Sequence, residues 1–188
     1  MKKILRVALA LLMVSVCLSV FACVPYSKAA TPEQIEASIV KGLEWLAAQQ
    51  QADGSWSGDL SSTAMAVLKF EERAVDLGLD PLNPAYEYYD QVRNGLNFIF
   101  TRAEIVQISS QPAGNPDSDG DGIGVRFNQD NWHYTYGTGI ATMAIAACTH
   151  PDLAVSVAGS PVDGWTYLEV VDDTVDYMAF GQNDANWP

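Results

Sequence analysis

Residues Lys41–Trp56 read KGLEWLAAQQQADGSW. The first half has helical spacing; the second is a polar turn closed by an indole. Asp53-Gly54 is turn chemistry, because an aspartate bonds its own downstream backbone and a glycine accepts positive φ, so the helix is expected to stop near Gln51. Upstream, Thr31 can cap the helix, Pro32 suits its first turn, and Glu33 favours its positive end. Ile35, Ile39, Leu43 and Leu46 follow at spacings of four, four and three, and Trp45 broadens that stripe. A glutamine at a helix end can bond orphan backbone groups. An indole buries a large area and needs one partner for its N–H. The stretch therefore reads as a staple.

The chain has 188 residues with ten basic and 23 acidic side chains. Lys2, Lys3 and Arg6 precede an uncharged, mostly apolar run from Val7 to Val24, followed by Ser27-Lys28-Ala29-Ala30. Residues 1–29 are thus expected to be a secretory signal peptide cut after Ala29. The 18-residue run also reaches the lower limit for a spanning helix, so a retained N-terminal anchor is the alternative. Val20-Phe21-Ala22-Cys23 approximates a lipidation box, with Phe21 a poor fit. Residues 30–188 then carry six basic residues against 23 acidic, a net charge of −17. Such a surface repels nucleic acid and anionic lipid, so no nucleic-acid partner is expected, and it suits an extracellular, periplasmic or cell-surface setting. Cys17 and Cys23 lie in the leader, which leaves Cys148 alone in the mature part, without an intrachain disulfide. Its apolar surroundings mark it as a small buried hydrophobe. The remaining length suits one domain with one core.

A second helix is expected from a Ser61-Ser62-Thr63 cap to about Gly78, with Met65, Leu68 and Val75 among its apolar positions. A third should run from about Ala85 to Val106, with a stripe of Tyr88, Val92, Leu96 and Ile99. An irregular insertion, at about 107–136, is rich in Gly, Asp, Asn and Pro. Gly139–Cys148 is apolar all round and should be a buried helix. A connection with a short helical turn covers Val155–Gly164, and a last helix covers about Thr166–Phe180.

The pattern repeats. Ile39-x-x-Gly42-Leu43-x-Trp45-Leu46 matches Val92-x-x-Gly95-Leu96-x-Phe98-Ile99 at a shift of 53, and Val171-x-x-Thr174-Val175-x-Tyr177-Met178 at a further 79. Thr63-Ala64-Met65-Ala66 matches Thr138-Gly139-Ile140-Ala141 at a shift of 75. The unit is a helix pair of about 53 residues, and an insertion of about 22 to 26 residues falls between Phe100 and Thr138. First helices are charged on one side and second helices are richer in small apolar residues, as outer and inner layers of a helical ring require. Lys41-Gly42, Trp45-Leu46, Gln50 and Gly54-Ser55-Trp56 resemble the QW motif of the squalene–hopene cyclase and prenyltransferase repeat superfamily. Gln182 with Trp187 is similar to a degenerate third copy, and the second copy keeps only its front half. The resemblance implies an all-α fold, a partial α/α toroid of about two and a half helix pairs. It also implies that the glutamine caps the outer helix with its amide beside the indole.

The catalytic patterns that the resemblance would imply are incomplete or absent. The stretch nearest to an Asp-x-Asp-Asp acid motif is Val170-Val171-Asp172-Asp173, which lacks the first Asp. Successive helix positions point about 100° apart, so the two carboxylates read as the exposed side of an outer helix. Cys148-Thr149-His150 has no accompanying Asp for a Zn triad, and one Cys with two His is thin material for Zn. His133, between Trp132 and Tyr134, reads as a packed loop residue. The thioester sequence Cys-Gly-Glu-Gln is absent. One chemical pattern remains. Asp117-Ser118-Asp119-Gly120-Asp121-Gly122 places carboxylates at positions 1, 3 and 5 and glycine at 6 of an EF-hand-like loop, with Asn128 at position 12 and Asp130 as a substitute. The first expectation is a solvated acidic turn with no cofactor, and the alternative is a Ca²⁺ held by Asp117, Asp119, Asp121 and Asn128.

The functional expectation is an exported, non-catalytic repeat domain with a structural or binding role. The alternative is an enzyme fragment of the cyclase, prenyltransferase or carbohydrate-active α/α-ring kind. Two pairs and one outer helix fall short of the five to seven pairs the resemblance implies for a closed ring. The chain stops at Asn186-Trp187-Pro188, where a third inner helix is due. The expectation is therefore an incomplete gene product lacking C-terminal repeats, or an arc that self-associates.

Overall fold

The computed structural model describes residues 29–182. The leader and Trp187 lie outside the described residues. Five helices and one hairpin follow in order: α1 (Pro32–Ala48), α2 (Leu60–Asp76), α3 (Tyr89–Phe100), β1 (Ala103–Gln107), β2 (Ile123–Phe127), α4 (Tyr134–Ala147) and α5 (Tyr167–Phe180). The chain divides into two compact units between Ile39 and Val40. In the first, Thr31 and Gln34 exchange backbone-to-side-chain hydrogen bonds at the start of α1, the cap that Thr31 suggested.

The fold is mostly helical, but it is not all-α. The insertion begins with β1, which pairs antiparallel with β2 from Ala103 opposite Phe127 to Gln107 opposite Ile123. α3 therefore ends at Phe100 rather than near Val106. Ile105, Val106 and Val125 are β-branched and favour an extended backbone over another helical turn. Arg126 pairs across the strands with Glu104 at 2.8 Å and lies 3.7 Å from the Tyr134 ring centroid.

α2 is the centre of the core. Leu60, Ala64, Val67, Phe70 and Ala74 bury one side of it, and Thr63, Leu68 and Glu71 are buried as well. It packs on α3 and α4, while α4 packs on α5 and β2. Each large apolar side chain buried here stabilises by about 1.5–3 kcal/mol. Its start differs from expectation. Asp59, not Ser61-Ser62-Thr63, is the N-cap, and its carboxylate accepts from Ser62 N at 2.6 Å. The three hydroxyl residues lie inside the first turn, where Thr63 accepts from Trp56 N and Ser61 bonds Gln129. Met65 and Val75 face solvent, because the packed side of α2 is set by its contacts with α3 and α4.

The α3 stripe of Tyr88, Val92, Leu96 and Ile99 is buried as expected. α4 is not. It buries Gly137, Thr138, Ala141, Ala144 and Ile145 on one side, while Met143 is 59% exposed. Cys148 is buried and free, its thiol pushed up to about 11 by desolvation. The connection to α5 holds no helix: Ala154 and Thr166 form a β-bridge, and Ser160 Oγ donates to Phe100 O. Thr166 and Glu169 then form a capping box that starts α5. No helix among the described residues is long and apolar enough to cross a membrane.

Glu71 is 1% exposed, and neither carboxylate oxygen has a hydrogen-bond partner. Burial, with a smaller contribution from Glu72, pushes its carboxyl from 4.5 up to about 8. The folded chain keeps this proton to about pH 8, whereas the unfolded chain releases it near pH 4.5. The stability it confers is full below about pH 4.5 and is lost as pH rises to about 8. Glu71→Gln should remove that dependence and be more stable than wild type at pH 9 by a few kcal/mol, with little difference at pH 5. Urea denaturation across this range checks it, and identical pH profiles for both chains would contradict it.

Candidate functional site

Two features carry the chemistry of this chain: the staple at the end of α1, and the acidic loop between β1 and β2.

In the staple, Gln50 Nε2 donates to Gly54 O and to Gln91 O, each at 3.0 Å, so one amide joins the turn to the first turn of α3. Trp56 is 4% exposed and its Nε1 donates to Leu46 O at 2.8 Å, satisfying a carbonyl of the last turn of α1. Its ring lies 5.9 Å from that of Phe70. Gly54 has φ +87°, and a Cβ there would stand 2.2 Å from Asn94 O, so only glycine fits. The resemblance implies that the glutamine caps the outer helix, but the Gln50 amide bonds the turn and α3 instead, and it is the Trp56 indole that takes a carbonyl of α1. The front of the motif behaves differently: Lys41 and Gly42 are exposed, and Trp45 is 65% exposed. Leu43 is the one fully buried residue of α1, so the stripe that Trp45 was to broaden is largely open. Gln182 is exposed and its side chain makes no hydrogen bond among the described residues.

The acidic loop is held against α5. Ser118 donates to Asp176 Oδ2 from its backbone N at 2.8 Å and from its hydroxyl at 3.0 Å. Gln111 Nε2 donates to Phe180 O at 2.5 Å. β2 reaches α5 closely at Gly124, where a Cβ would lie 3.0 Å from the Tyr177 backbone N. Within the loop, Asp117 accepts from Gly120 N and Gly122 N, Asp119 from Asp121 N, and Asp121 from Ile123 N. Ligand oxygens of Asp117, Asp119 and Asp121 converge, as the spacing suggested. Asn128 does not join them. It lies past the far end of the hairpin, where it bonds Glu104 and Asn131. A five-residue strand separates it from the loop, so its place in the twelve-residue count is overturned by the turn into β2. Asp130 is likewise elsewhere: it pairs with His133 at 2.6 Å, on an exposed turn rather than in packing.

α5 supplies what the sequence reading missed. Asp173 and Asp176 are buried, at 5% and 3% exposed, and converge with Asp119. The sequence places Asp173 on the exposed side of an outer helix; Asp172 is exposed, but Asp173 faces the loop. The Asp173–Asp176 spacing of three was visible, since i and i+3 share a helix face. Which side the insertion covers was not. Burial raises the Asp173 carboxyl to about 7, and Asp121, Asp119, Asp176 and Asp172 add to the rise. The loop, Trp165, Glu169 and Asp172 enclose a cavity of about 210 Å³. His150 bonds Asp80 at 2.8 Å and takes no part in a site with Cys148.

Compared with known proteins, the chain matches no family model, no curated protein and no solved structure.

The staple makes a graded prediction for chemical denaturation. Trp56→Ala should cost about 3–5 kcal/mol, and Gln50→Ala about 1–3 kcal/mol through orphaned carbonyls. Trp45→Ala should stay within about 0.5 kcal/mol. A Trp45 loss as large as that at Trp56 would contradict this ordering.

Proposed function

We propose that the chain is an exported or surface-located, non-catalytic repeat domain with a binding or structural role. In this reading its helical hairpins are similar to those of squalene–hopene cyclases and prenyltransferases, arranged as a partial α/α toroid. One observation carries it: the Gln50 amide nitrogen and the Trp56 indole N–H donate to the backbone of α1, the following turn and α3. That is a scaffold role and leaves neither side chain free for a substrate. The packing of α2 on α3 and α4, and of α4 on α5, supports the same reading.

An enzyme reading has Asp173 in its favour, since a carboxyl raised to about 7 beside a cavity is a property acid catalysis uses. It lacks the hydrogen-bonded neighbour through which such an acid is tuned, because Asp173 accepts no hydrogen bond among the described residues. Incubation with squalene, prenyl diphosphates and acidic polysaccharides should give no turnover. Turnover abolished by Asp173→Asn would overturn the non-catalytic reading.

The partner in this proposal is a second copy of the chain. Gly139, Thr142, Met143, Ala146, Val175 and Met178 line an apolar groove of about 390 Å³ between α4 and α5. Met143 and Val175 are more than half exposed there, so the open flank of the arc favours association. Sizing chromatography should show a concentration-dependent oligomer that Met143→Glu shifts to monomer. A monomer at every concentration would rule it out.

A further inference from the structure

We propose that Asp119, Asp173 and Asp176 form a Ca²⁺ site that fastens the β1–β2 loop to α5, with Asp121 beside it. This inference does not depend on the repeat reading.

An exposed acidic turn needs no ion, and Asp117, Asp119 and Asp121 alone would carry no conclusion. The independent observation is on another element. Asp173 belongs to α5, is 5% exposed, and has no hydrogen bond or ion pair among the described residues, yet its carboxylate is aimed at the loop. A buried carboxylate without donors is strongly disfavoured unless a proton or a cation satisfies it. Here no basic side chain is paired with any of Asp117, Asp119, Asp121, Asp173 or Asp176 among the described residues. Every charged group facing Asp173 from the loop and from its own helix is another carboxylate.

The spacing suits one ion. Ligand oxygens of Asp119, Asp173 and Asp176 all lie within 4.8 Å of one another. Two oxygens each about 2.4 Å from a single Ca²⁺ are at most about 4.8 Å apart. The set contains oxygen only, which excludes the softer metals that favour His and Cys. Several carboxylates from a loop and a helix fit the six to eight oxygens of Ca²⁺ better than Mg²⁺, which keeps most of its water. Ser118 has a positioning part: its two hydrogen bonds hold Asp176 Oδ2 against the loop.

The test uses the full chain, stripped with a chelator and titrated with CaCl₂ to about 10 mM, above the about 0.1–1 mM dissociation constants of extracellular Ca²⁺ modules. One saturable site is expected, with a rise in Tm of a few degrees. Asp173→Asn and Asp176→Asn should each weaken binding at least about tenfold. Asp173→Asn should also raise the Tm of the metal-free protein, because a buried charge is removed, so its lost binding is separable from misfolding. Asn128→Ala and Asp130→Ala should bind as wild type does. Absence of saturable binding in wild type would overturn the proposal. So would wild-type affinity in Asp173→Asn alongside loss in Asp119→Ala, which would place the ion on the loop alone. An equal response to MgCl₂ would overturn the choice of cation.

Discussion

The Trp56 indole holds three helices together. Its N–H closes the last turn of α1 at Leu46 O, its ring packs by Phe70 of α2, and it lies over Gly95 of α3, where a Cβ would come within 3.3 Å of the ring. Placing an aromatic at such a junction makes its position depend on small neighbours. Gly95 would also bring a Cβ within 2.3 Å of Val67, so α2 and α3 approach as closely as they do only because that position is glycine. Gln50 adds polar satisfaction at the same point, and Gly54 supplies the left-handed backbone that lets the turn run against Asn94.

Two carboxylates are buried without donors, and their surroundings separate them. Glu71 is 1% exposed in the core, with Tyr86, Cys148 and Tyr167 near enough to feel its charge, and both of its carboxylate oxygens are buried. Protonation is the only satisfaction open to it. Asp173 lies beside a cavity and among other carboxylates whose oxygens converge with its own. Desolvation raises both, but only Asp173 has a geometry in which a cation can replace the proton.

Local periodicity made most of the helices legible. The stripe of Tyr88, Val92, Leu96 and Ile99, the start of the last helix near Thr166 and the end of the second helix near Gly78 were readable because helix spacing and end signals act within a few residues. The hairpin was missed for a related reason. Ala103–Gln107 follows a helix directly, and its extended backbone is justified only by Ile123–Phe127, sixteen or more residues later. Asn128 shows the same limit: a motif count assumes a continuous loop, and β2 removes the last ligand position from it. Asp172-Asp173 was treated as one exposed pair, although the two point different ways and only one meets the insertion.

By itself the sequence determined the helical periodicity, the turn at Asp53-Gly54 and the converging front of the acidic loop. Each follows from interactions within one turn or one loop. Only the tertiary structure decided that α2 is buried on several sides, that Trp45 is open while Trp56 is enclosed, and that Asp173 and Asp176 complete the acidic cluster. Those outcomes depend on which faces meet across about 50 residues of chain, and side-chain type does not encode that meeting until the helices and the hairpin have packed.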